Sequence, residues 1–96
     1  MKNYYNKREM YNCSNLTEYY MLKEDIEETL KKNNTFMDCY DNNTKILKVF
    51  ELNKYINKLT VVKNRAFKSN NRDIVNNCEE LIKKIKVQIK TLNKRD

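Results

Sequence analysis

Leu16, Tyr19, Leu22, Ile26 and Leu30 recur every three or four residues, the spacing that lines side chains along one stripe of a helix. This predicts a first helix over residues 16–32. Asn15 followed by Glu18 reads as a capping box at its start, and Lys31 and Lys32 before Asn33 and Asn34 read as a cationic last turn and a stop. The pattern resumes with Val49, Leu52, Ile56, Leu59 and Ala66, with Val62 and Phe67 nearby, and predicts a second helix over residues 44–68. Lys68, Asn70 and Asn71 end it, since asparagine tolerates the left-handed conformation that glycine usually supplies. Ile74, Cys78, Leu81, Ile85 and Leu92, flanked by Val75, Ile82 and Ile89, then predict a third helix over residues 72–93 at near-heptad spacing.

The break at Ser69–Asn71 is too short to let the last two helices separate, so they should form an antiparallel hairpin with the first helix packed across it. The expected fold is all-α, a small three-helix bundle with one long helical hairpin. Residues 35–43, which include Phe36, Met37, Cys39 and Tyr40, fit either a loop pinned to the bundle or an extra turn. Residues 1–14 carry Tyr4, Tyr5 and Tyr11 without a clear period, and read as a basic, tyrosine-rich arm before a single helical domain over residues 15–96.

Composition limits what this bundle can do. The chain has 96 residues, enough for one domain with a modest core that a partner would help to complete. A mean hydropathy of -0.96 leaves little apolar surplus, yet the periodicity is too regular for disorder. There is no glycine and no proline, one alanine, 16 asparagines, and 16 lysines against 4 arginines. Such choices suggest an AT-rich genome, which weakens the net charge of +7 as evidence for a nucleic-acid role. Met1–Cys13 contains charges and no long apolar run, so no secretory signal is expected. Cys13, Cys39 and Cys78 form no CxxC motif and cannot all pair, which points to a reducing, intracellular setting for a soluble protein.

Residues 1–50 carry 8 basic and 8 acidic side chains, whereas residues 51–96 carry 12 and 5, so the excess charge belongs to the hairpin. Lys54, Lys58, Arg65 and Lys68 form a row on the second helix, and Lys83, Lys86, Lys90 and Lys94 form one on the third. Two such rows suit the phosphate backbone of RNA or DNA, but lysine rows are also the ordinary solvated side of a helix. A third outcome is internal pairing with Glu18, Glu24, Asp25, Glu27 and Glu28 of the acidic first helix.

Catalysis finds little support. Without histidine the commonest general base is missing, and without glycine there is neither a P-loop nor a dinucleotide fingerprint. Three scattered cysteines do not make a zinc site, and no cofactor is implied. Cys78 falls on an apolar stripe and reads as a small core residue.

Ala66–Asn70 followed by Glu79, Glu80 and Leu81 resembles the second and third helices of the LYR-type mitochondrial adaptor proteins. The first-helix triplet of that family has no counterpart, since Tyr19, Tyr20 and Met21 differ from Leu-Tyr-Arg, and no residue role is carried over. The hairpin is also similar to that of a small ribosomal protein of the large subunit, on generic heptads alone.

The leading expectation is therefore a non-catalytic helical module that binds another protein or protein complex as adaptor, small subunit or inhibitor. Phe36, Tyr40, Phe50 and Tyr55 are the candidate anchors, because aromatic side chains dominate interface hot spots. The alternative is nucleic-acid association through the two basic rows. Heptads on the third helix also admit self-association, and an anionic membrane surface ranks last for want of an aromatic-rich exposed face.

Overall fold

A computed structural model describes the backbone of residues 7–94 and the side chains of residues 16–94. The described chain is all-α. Helix α1 spans Lys7–Phe36, a short 3-10 turn covers Met37–Cys39, and helices α2 and α3 span Asn42–Lys68 and Arg72–Leu92. The α2–α3 hairpin is the most extensive packing in the molecule, and α1 lies across it with contacts to both helices.

Helix α1 departs from the sequence expectation at both ends. Its backbone is helical from Lys7, so the expected arm is helical over residues 7–14, while Tyr4 and Tyr5 lie outside the described residues. An uninterrupted run without glycine or proline lets a helix propagate past its apolar stripe, because extending a formed helix is far easier than starting one. Asn15 is accordingly inside α1 rather than at its cap, and Glu18 is free to reach another helix. At the other end Asn33 and Asn34 do not stop the helix, because Asn33 is buried with its side chain hydrogen-bonded across the bundle.

Helix α2 starts at Asn42, two residues before its first expected position, because Asp41 caps it through a 2.7 Å bond from the Thr44 backbone N–H to Oδ1. That bond holds the Asp41 carboxyl below the usual carboxylate range. Its end follows the sequence closely. Asn70 has φ 60°, the Asn71 N–H donates to the Ala66 carbonyl at 2.8 Å, and the Asn70 N–H donates to Phe67 at 3.1 Å. This pair of bonds is a Schellman stop, and Asn71 at once caps α3 by accepting from the Ile74 N–H. Two helices are thus ended and begun within three residues, which fixes the hairpin.

The core contains Tyr19 and Ile26 of α1, Leu52, Leu59, Val62 and Ala66 of α2, and Ile74, Cys78, Leu81, Ile85 and Leu92 of α3. Each fully buried leucine or isoleucine contributes about 1.5–3 kcal/mol relative to exposure. Desolvation pushes the Cys78 thiol up to about 11, and burial likewise raises the Tyr19 hydroxyl. Phe67, counted near the second stripe, instead points to solvent at 73% exposure. The bundle is elongated, 57 × 25 × 16 Å, with a radius of gyration of 16.2 Å against about 13 Å for a compact domain of this length.

Besides Ser69 at the α2–α3 turn, two polar side chains among the described residues are buried with this core, Asn33 and Gln88. Asn33 Nδ2 donates to Gln88 Oε1 at 2.9 Å, and Gln88 Nε2 donates to the Leu30 carbonyl at 2.9 Å and to Asn34 Oδ1 at 3.1 Å. The Tyr40 hydroxyl donates to Asn33 Oδ1 at 3.0 Å. One closed network therefore joins α1, the segment after it and α3.

Candidate interaction surface

The four aromatic residues singled out from sequence occupy different environments. Phe36 and Phe50 are exposed at 52% and 62%, whereas Tyr40 and Tyr55 are half-buried against the core. Tyr40 is held by its bond to Asn33 and lies beneath the Lys48 ammonium, 5.6 Å from its ring centre. Tyr55 carries Lys58 at 5.8 Å, and Phe50 carries Lys54 at 4.8 Å. Cation–π stacking of this kind shields part of each ring and leaves the ammonium groups solvated.

Sequence reasoning missed the neighbours of Phe50. Ile46 and Leu47 are 58% and 67% exposed, and with Phe50 they form an apolar cluster over the first turns of α2. The helix begins with its core-facing side built from Thr44, Lys45, Lys48 and Val49, all half-buried, so the larger side chains face outward. The missed signal was the phase of the helix. Working back from Leu52 and Leu59 at 100° per residue places Ile46, Leu47 and Phe50 on the far side.

The basic rows part company. On α2, Arg65 Nη1 binds Glu18 Oε2 of α1 at 2.8 Å, and Lys58 lines a groove with Glu18, Met21, Leu22, Asp25 and Val61. Lys54 is exposed and stacks on Phe50, and Lys68 lies exposed at the end of α2. On α3, Lys83, Lys86, Lys90 and Lys94 are exposed on a side turned away from α1. Lys63, on the side of α2 nearest to α3, lies 3.9 Å from Glu79. The two rows therefore occupy separate faces rather than one track.

The acidic side chains of α1 are divided in a similar way. Glu18 crosses to α2, while Glu27 and Glu28 pair within α1 with Lys23 and Lys32 at 3.8 and 3.3 Å. Between α1 and α3, Glu27, Leu30, Lys31, Asn34, Thr35 and Lys84 line a shallow, mixed-charge depression. The α1–α2 groove has a volume of about 370 Å³ and is the more apolar of the two. Among the described residues Cys39 is an exposed free thiol and Cys78 a buried one. No described helix is long and apolar enough to cross a membrane.

Comparison of the chain with protein-family models, with curated proteins and with solved structures gives no match.

Proposed function

We propose that this protein is a non-catalytic helical module that binds another protein, acting as an adaptor, small subunit or inhibitor within a larger complex. The observation that carries this reading is the outward cluster of Ile46, Leu47 and Phe50, each more than half exposed, with Phe36 exposed as well. A small, wet protein gains nothing in its own stability from three large apolar side chains facing water on consecutive turns, and contiguous patches of this kind mark interaction sites. Lys54 over Phe50 supplies a cationic rim, which favours a partner whose docking surface is apolar at its centre and acidic at its edge.

The test is capture of the tagged full-length chain from its native extract, with and without nuclease, beside Ile46→Lys and Phe50→Lys variants. Partners should survive nuclease and be lost from both variants. Equal recovery by wild type and variants would remove the apolar cluster from consideration.

A second reading rests on the α3 row. Lys83, Lys86, Lys90 and Lys94 make no ion pair with any described carboxylate, so their charge is available to a phosphate backbone. Binding of this type weakens steeply with salt, and Lys83→Glu with Lys86→Glu should flatten that dependence. Retention of partners only without nuclease would favour it.

A further inference from the structure

Across the face shared by α1 and α2, the bond between Glu18 and Arg65 at 2.8 Å fixes the antiparallel register. Moving along both helices one turn at a time sets Met21 level with Val61, then Asp25 with Lys58. These four residues line the same groove. Continuing in register brings Glu28 level with Lys54, and at the far end Phe36 level with Leu47. Each level is matched, acid opposite base or apolar opposite apolar.

Only the first level is closed within the chain. No ion pair joins Asp25 to Lys58 or Glu28 to Lys54 among the described residues, while Glu28 pairs along its own helix with Lys32 at 3.3 Å and Lys54 lies over Phe50. The apolar levels stay open too, with Met21 64%, Val61 48%, Phe36 52% and Leu47 67% exposed. Matching that served only to hold α1 against α2 would cover these side chains, and it does not.

We infer that this face is a dimerisation surface, occupied by a second copy of the chain related by a two-fold axis running parallel to the helices. Rotation about such an axis exchanges left and right across the groove and preserves height, so each α1 lies on the partner's α2 at the same level. Met21 then packs on the partner's Val61 and Phe36 on the partner's Leu47. Asp25 meets the partner's Lys58, and Glu28 meets the partner's Lys54. A two-fold interface must be self-complementary, and a face whose acidic and basic edges match level by level meets that requirement.

Phe36 and Leu47 are shared with the surface proposed above for a different protein, whereas Ile46 lies roughly 100° around α2 from Leu47 and outside the groove, so the two occupants compete for part of one face.

Sedimentation velocity on the purified full-length chain, with circular dichroism as a check on folding, tests the arrangement. Wild type should dimerise at micromolar concentration. Asp25→Lys alone and Lys58→Glu alone each place like charges across the two-fold, so each should weaken the dimer by roughly tenfold or more. An equimolar mixture of the two variants should dimerise again, since the mixed pair restores both opposite-charge contacts. Should either variant lose helicity, Glu28→Lys and Lys54→Glu repeat the experiment at exposed positions. A monomer at every concentration, or a dimer unmoved by the single changes, overturns the proposal; the second result would assign self-association to α3 instead.

Discussion

Asn33 and Gln88, 55 positions apart in the chain, exchange a 2.9 Å hydrogen bond in the core, with 1% and 5% of their surfaces exposed. The bond sets the height of α1 against α3. An apolar pair would tolerate sliding by a turn, whereas a buried amide that slides loses its partner and keeps its desolvation cost.

Gln88→Ala should therefore cost more than its size suggests, about 1–3 kcal/mol, because Asn33 Nδ2 is left buried and unbonded. Tyr40→Phe removes only one neutral bond to Asn33 and should cost about 0.5–1.5 kcal/mol. Replacing Asn33 and Gln88 together by leucine should recover most of the stability while broadening the amide resonances of α1. Urea titration with an amide spectrum separates the two effects, and a double variant whose cost equals the sum of Asn33→Leu and Gln88→Leu measured singly would contradict a shared network.

Asn70 holds φ 60° at the α2–α3 turn, where a β-carbon is strained and a short amide side chain is tolerated. Asn70→Gly should be neutral or slightly stabilising, and Asn70→Val should lower stability by about 1–2 kcal/mol. Thermal melts of the three proteins read the order directly.

Asp41 caps α2 as a carboxylate, and its bond to the Thr44 N–H lowers its ionisation range. The stability this supplies is present above the carboxyl range of the unfolded chain and disappears as pH falls through the lowered folded value. Asp41→Ala should depress the melting temperature at neutral pH and converge with wild type in acid. Asp41→Asn should keep the cap and lose that share of the pH dependence. Melts across the acid range distinguish the three.

Cys78 and Cys39 should differ sharply toward alkylating reagents. Cys39 is exposed and should label in the native protein, while Cys78 should label only on unfolding, as peptide mass mapping would reveal. The folded Cys78 thiol keeps its proton to about 11, against an ordinary value of 9.0. Its contribution is complete below pH 9 and is lost as pH rises through about 11, so Cys78→Ala should flatten the alkaline side of the stability curve. Native labelling of both thiols at equal rates would show that the core around Cys78 is open.

Periodicity alone determined that the chain is a three-helix bundle, placed α3 almost to the residue, and picked out most of the core, since Leu52, Leu59, Ile74, Cys78, Leu81 and Ile85 repeat at the spacing of a helix face. It also marked the Asn70 turn, because there the chemistry of one side chain decides the backbone. Tertiary structure decided the rest. Asn33 reads locally as a helix stop and becomes a core residue only because Gln88 lies opposite, and Glu18 reads locally as a capping residue and becomes the partner of Arg65. Ile46 and Leu47 lie opposite the stripe of Leu52 and Leu59 by phase alone, but only the packing decides whether a neighbouring helix covers that side, and among the described residues none does. A helix carries its own period in its sequence, but its phase and height against neighbours are set by contacts between residues distant in the chain, and the interaction surface depends on those two quantities.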